Sequence, residues 1–201
     1  MGKVLGLVGS PRRDGNSEII TNTFLSGVET RGLKTEKILL NKLDIHPCQA
    51  CDACAGSGYC VVRDDMQNLY PKIKEASGLL LVSPIYFSGI SAQTKAFIDR
   101  FQCWWHARYG FHRPFVEKED GRLGFFISVE AMQGKEWGQK AIYTIRSYFN
   151  VINYSLEGSL HFHGIDALGS IEDSPDALTQ VKNAGMAFAD KAKLNLGEGL
   201  T

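Results

Sequence analysis

Five short stretches of the chain are patterned as β-strands: Lys3–Gly9, Glu36–Leu40, Gly78–Ser83, Gly121–Ser128 and Tyr154–Phe162. The first and third are nearly continuous apolar runs, as expected of strands covered on both faces of a parallel sheet. Between them, apolar residues recur at helical spacing. Ile19, Ile20, Phe24 and Val28 mark one helix, Met66, Leu69 and Ile73 a second, and Phe97, Phe101, Trp104 and Trp105 a third; Gln139–Phe149 is the fourth, and Leu178, Val181, Gly185 and Phe188 mark the last. Local signals bound these helices. Gly32 suits a helix end, Asp64-Asp65 suits a helix start, Ser91 is a cap, Ser174-Pro175 opens the last helix and Gly197 closes it. Pro71 is expected to kink or restart the second helix, and Gly158 to mark a bulge. Strands alternating with helices give an α/β fold: a doubly wound, five-stranded parallel sheet of order 2-1-3-4-5 with helices on both faces. Residues 1–201 form one domain, with a cysteine-rich insertion at about 41–63 that is too long for an ordinary βα connection.

In that strand order the loops after strands one, three and four meet where a ligand binds. They are Ser10–Ser17, Pro84–Gly89 and Val129–Gly134. The first, within GSPRRDGNS (Gly9–Ser17), joins a strand to a helix through small and polar residues. Backbone N–H groups and the positive end of the helix would face an anion there. Ser10, Asn16 and Ser17 add short donors, and Arg12 and Arg13 add charge. The plainer alternative is a turn whose Asn and Ser only cap a helix. Neither G-x-G-x-x-G nor G-K-[ST] is present, which disfavours the usual dinucleotide fold and the P-loop ATPases.

Charge narrows the partners. Lys+Arg and Asp+Glu number 22 each, so no basic excess points to nucleic acid. No apolar run approaches the ~20 residues of a membrane span. Met1-Gly2-Lys3 runs straight into the first strand, which predicts no signal peptide and a cytoplasmic location. Four of five cysteines are crowded together, which points to metal or redox chemistry.

Gly9-Ser10-Pro11-Arg12 with Gly15-Asn16-Ser17 resembles the FMN phosphate loop of the NAD(P)H-dependent FMN reductase family. Ser83-Pro84-Ile85-Tyr86-Phe87 and Gly89, followed by Lys95–Arg100 (KAFIDR), is similar to that family's flavin-ring loop and the helix after it. The cysteine loop ending in Val61–Met66 (VVRDDM) resembles the iron–sulfur flavoprotein branch. The resemblance implies a flavodoxin-like fold and an FMN-dependent oxidoreductase using NAD(P)H or a ferredoxin-like donor. It implies that Ser10, Arg12, Asn16 and Ser17 bind the FMN phosphate, and that Pro84, Ile85, Tyr86, Phe87, Ser88 and Gly89 contact ring and ribityl chain. Ser128, Glu130 and Gly134 are the third contact. Hydride transfer to a flavin needs no side-chain acid or base, so no residue is assigned as catalytic.

Cys48, Cys51, Cys54 and Cys60 are spaced C-x2-C-x2-C-x5-C. Four thiolates in that spacing suit a [4Fe–4S] cluster. Zinc sites of four cysteines usually take two separated pairs, and free or regulatory thiols are the third possibility. Cys103 is expected to be a small buried hydrophobe. His46 is placed to tune a cluster; His161 and His163 share a strand face, and a satisfied pair is expected over a metal site. His106, Arg108, His112 and Arg113 suit either a NAD(P)H phosphate or a solvated loop. Rival functions are a cluster-free quinone, nitro or flavin reductase, and a flavodoxin-like electron carrier, which the neutral charge disfavours. A homodimer or homotetramer is expected, paired through the Trp104–Trp105 face.

Overall fold

A computed structural model describes residues 2–133 and 137–197. The strands are β1 (Lys3–Val8), β2 (Lys34–Leu39), β3 (Gly78–Tyr86), β4 (Gly89–Ile90), β5 (Leu123–Glu130) and β6 (Ser155–His163). The helices are α1 (Asn16–Glu29), α2 (Met66–Glu75), α3 (Ala92–Asp99), α4 (Gln102–Trp105), α5 (Trp137–Val151) and α6 (Pro175–Asn195). The sheet order is β2-β1-β3-β5-β6, all parallel, with β4 antiparallel on the end of β3. Setting aside the two-residue β4, this is the expected 2-1-3-4-5 order.

Side-chain alternation along the strands builds two cores. Leu5, Leu7, Leu79, Leu81 and Phe126 face α2, α3, α4 and α5. Val4, Leu80, Val82, Phe125 and Ile127 face α1 and α6. On that second face the two helices touch backbone to backbone. A Cβ built on Gly27 would lie 2.3 Å from the Lys182 carbonyl oxygen, and one on Gly185 2.2 Å from that of Phe24.

Several expectations change in detail. β3 does not stop at Ser83 but runs through Pro84, still paired with β5, to Tyr86, where it pairs with β4. Likewise β5 includes Val129 and Glu130, which the sequence pattern assigned to a turn. α2 runs unbroken through Pro71. The bulge, by contrast, falls where expected, at Glu157–Gly158, where the β5–β6 register shifts. Phe97, Phe101 and Trp104 are core residues, so Trp104 does not belong to a surface face; Trp105, one step on, is 43% exposed.

The start of α3 is fastened to the end of β1. Ser91 caps the helix, accepting from the Thr94 N–H at 3.2 Å, and its hydroxyl donates to the Gly9 carbonyl at 2.5 Å. Ser83 Oγ accepts from the Ser91 N–H at 3.0 Å and lies 3.1 Å from Thr94 Oγ1. All three hydroxyl residues are fully buried. Gly9 admits no side chain, since a Cβ would sit 1.8 Å from Thr94 Oγ1.

Candidate functional site

The β1–α1 turn opens onto a concavity of about 230 Å³ at the carboxyl ends of the strands. Ser10, Arg12, Asn16 and Ser17 line one side, Pro84, Ile85 and Tyr86 another, and Val129, Ala131, Ile165 and Asp166 close it. The turn is held from within: Ser10 Oγ accepts from the Arg12 N–H, and Asp14 adopts a left-handed φ of 52°. Gly15, not a side chain, sits at the N-cap of α1, so Asn16 and Ser17 do not cap it. Among the described residues the N–H groups of Asn16 and Ser17 have no hydrogen-bond acceptor. Two free donors at a helix N-terminus, beside this concavity, suit a phosphate.

Two of the sequence-derived donors are committed elsewhere. Asn16 Nδ2 donates to the Ala167 carbonyl at 2.9 Å, and Asn16 Oδ1 accepts from the Ile171 N–H at 3.1 Å. Arg12 Nη1 donates to the Asp166 carbonyl at 2.6 Å. Both side chains tie the loop to residues 166–171, a segment whose start, Asp166, lines the far wall. A buried carboxylate missed in the sequence supports the turn. Glu18 accepts from the Asp14 N–H and pairs with Lys37 at 2.6 Å. Burial would raise its pKa, but the Lys37 ammonium and the Asp14 amide together hold it below the ordinary value.

The second loop is a tight hairpin. Phe87 and Ser88 join β3 to β4 with φ of 48° and 64°, both left-handed, as a type I′ turn requires. The Phe87 side chain projects wholly into solvent, and Tyr86 is 43% exposed. Tyr86 reaches the concavity, whereas Phe87, Ser88 and Gly89 form the hairpin tip outside its lining.

The third group divides. Val129 and Ala131 line the concavity, but Ser128 and Glu130 do not, and Gly134 lies outside the described residues. Ser128 is fully buried, 2.7 Å from His161 Nδ1, its cross-strand neighbour. Glu130, likewise buried, contacts the ring of His163, again its cross-strand neighbour. His161 is therefore hydrogen-bonded to a residue of β5, whereas His163 stands against Glu130 without a hydrogen bond among the described residues. Burial, then the charge of His163, lower the pKa of His161. A folded pKa below the unfolded 6.5 means that stability is full above 6.5 and is lost as pH falls below it. Melting temperature is expected to fall from about pH 7.5 to 5.5, with a shallower slope in His161→Asn. Identical slopes would dismiss His161 as a contributor.

The four clustered cysteines lie around one cavity of about 140 Å³. Cys48 and Cys51 are exposed; Cys54 and Cys60 are half-buried. Ala50 and Asp52, between the first three, take left-handed φ of 49° and 57°. The 3₁₀ turn Ala53–Gly56 then reverses the chain, its Cys54 carbonyl accepting from the Gly58 N–H at 2.8 Å. Burial first, and then the neighbouring thiolates of Cys60, Cys48 and Cys51, raise the Cys54 pKa. Although the thiols share one cavity, among the described residues no three His, Cys, Asp or Glu side chains converge closely enough for a single ion. Cys103 is buried, its Sγ bonded to the Arg100 carbonyl at 3.3 Å, and burial pushes its thiol up to about 11. His46 faces Asp44 and Asp64 rather than a thiol, and Arg108 lies 4.9 Å over the Tyr109 ring. Sequence reasoning missed Arg100, whose wholly buried side chain pairs with the equally buried Asp64.

An open parallel sheet with a phosphate-suited βα turn at its switch point defines a flavodoxin-like protein. Residues 2–154 match the NADPH-dependent FMN reductase family, and the chain belongs to it. It is thus an FMN-dependent oxidoreductase. It is 31% identical over 200 residues to an iron-sulfur flavoprotein of Methanocaldococcus jannaschii, covering 96% of this chain and 98% of that one. With an iron-sulfur flavoprotein of Archaeoglobus fulgidus it shares 37% identity over 133 residues, 66% of this chain and 56% of the relative. Among solved structures, a NAD(P)H:quinone oxidoreductase from Methanothermobacter marburgensis superposes with a TM-score of 0.67 at 16% identity, over 93% of this chain and 98% of that one. No helix among the described residues is long and apolar enough to cross a membrane.

Proposed function

We propose that this oxidoreductase moves electrons from NAD(P)H or a ferredoxin-like donor to an acceptor through FMN and a [4Fe–4S] cluster. FMN would be held at Ser10–Ser17 and Pro84–Tyr86, the cluster by Cys48, Cys51, Cys54 and Cys60. The observation that carries the reading is the gathering of all four thiols around one cavity. The residues present fit both groups. Free N–H groups at Asn16 and Ser17 suit the FMN phosphate, and the apolar wall of Ile85 and Tyr86 suits a flat ring. Four thiols spread around a cavity suit a cluster better than a zinc ion, which draws its sulfurs to about 2.3 Å from one point. When bound, the flavin supplies two-electron chemistry and the cluster one-electron passage, so a hydride's electron pair can leave singly.

The chain's own residues bind and orient. Arg12 and Asn16 hold the 166–171 wall against the phosphate turn. The Ser83–Ser91–Thr94 hydroxyls fix the hairpin to Gly9. Ser128 and Glu130 keep His161 and His163 in place behind the site. The protein is also proposed to self-associate, through the exposed rings of Trp105 and Tyr109 rather than through Trp104.

Protein purified without oxygen is expected to show flavin bands, a broad shoulder in the blue and about four iron per chain. Light scattering on the same preparation is expected to give at least a dimer. Flavin without iron would remove the cluster from the reading. The exposure of Cys48 and Cys51 favours a second reading, a cluster-free quinone or nitro reductase. Quinone-dependent NAD(P)H oxidation undiminished in Cys48→Ala/Cys51→Ala would select it.

A further inference from the structure

Arg100 stands at the end of α3, its side chain with no solvent exposure. A buried guanidinium is costly unless each donor is used. Here the uses are specific. Nη1 donates to the His46 carbonyl at 2.9 Å and to the buried Asp64 carboxylate. Nη2 donates to Cys60 Sγ at 3.4 Å and to the Val62 carbonyl at 3.4 Å. Asp64 in turn accepts from the N–H groups of His46 and Met66, each at 3.0 Å. His46 and Val62 flank the cysteines on either side, so one side chain grips both ends of the loop. Nε is buried and has no hydrogen-bond partner, on a residue that lines the cysteine cavity.

We propose that Arg100 is the positioning residue of the cysteine cavity: it latches the loop from His46 to Asp64 closed and donates to the sulfur of Cys60. The assignment rests on the reading that the four cysteines hold a cluster. A cluster with four thiolate ligands is anionic, and each added electron makes it more so. A fixed positive charge and an N–H on a ligand sulfur stabilise the reduced form and raise the potential. Lys fills the same space with a point charge but cannot span the four acceptors, so the two functions separate by substitution.

The test uses Arg100→Met and Arg100→Lys, purified without oxygen alongside the unaltered protein. FMN per chain reports folding, because the phosphate turn lies on other elements. The readouts are the cluster midpoint potential and the rate of iron loss to a chelator. Arg100→Met is expected to keep its flavin, lose iron about tenfold faster or more, and titrate at a lower potential. Arg100→Lys is expected to recover the potential in part while still losing iron quickly. Should Arg100→Met lose its flavin as well, Arg100→Lys and Asp64→Asn carry the same comparison. Iron loss and potential unchanged in iron-loaded variants would overturn the proposal alone. Unaltered protein without iron would overturn it together with the cluster reading, so the two failures are distinguishable.

Discussion

Ser17→Asp is expected to yield a folded protein that has lost its flavin. Ser17 lies in the first turn of α1, lines the concavity and has no side-chain hydrogen bond among the described residues that would be lost. Ser17 is 3% exposed, so a carboxylate here has a burial cost, which the positive end of the dipole and the free N–H groups of Asn16 and Ser17 offset. The carboxylate also occupies the place proposed for the phosphate, with the same sign of charge. At an effective dielectric of about 20, two unit charges ~4 Å apart repel by about 4 kcal/mol, on the order of a thousandfold in affinity. A fold that stands and a ligand that is lost make the result diagnostic. Melting temperature of the flavin-free protein should hold, while added FMN no longer quenches its fluorescence on mixing. Tight FMN binding by Ser17→Asp would remove the β1–α1 turn from the site.

Gly185→Ala is expected to be the most destabilising small substitution on the α1–α6 face. Helix propensity alone predicts a gain of about 1 kcal/mol for Ala over Gly. Against that stands the 2.2 Å approach of the new Cβ to the Phe24 carbonyl oxygen. Backbone cannot swing aside as a side chain does, so the helices must part. Parting them loosens Phe24, Val28, Val181 and Phe188, all buried in the same core. Overpacking of this kind outweighs propensity, with a net loss of about 2–3 kcal/mol. For a chain of this length the melting temperature would drop by roughly 5–10 °C. An unchanged or higher melting temperature would mean that the two helices sit farther apart than described.

The sheet was legible because its central strands are apolar on both faces, and that pattern needs no distant information. Their ends were not. Pro84 suggested a turn, yet β3 continues through it, and the true turn at Phe87–Ser88 bears neither Gly nor Asn at its left-handed positions. The β1–α1 turn, and its place beside the concavity, were visible from its residue types. What Arg12 and Asn16 do there was not, since their partners lie over 150 positions away in sequence. Trp104 and Trp105 look equivalent as letters, but one helical step of about 100° sends the first into the core and the second outward. Arg100 stood in the KAFIDR stretch, but nothing there linked it to the cysteines: an arginine beside an aspartate reads as surface, and only the returning cysteine loop buries it.

Helix α3 begins at Ser91, bonded to the β1–α1 turn through Gly9, and is followed at once by Arg100, bonded to the cysteine loop. Its eight residues span about 12 Å. In the flavin–cluster reading, a short rigid strut therefore sets the separation of two redox centres within one subunit. Electron tunnelling falls steeply with distance, so the transfer rate would be written into the length of this helix. Neither loop would have to move during turnover, and changes elsewhere in the fold would leave the spacing alone.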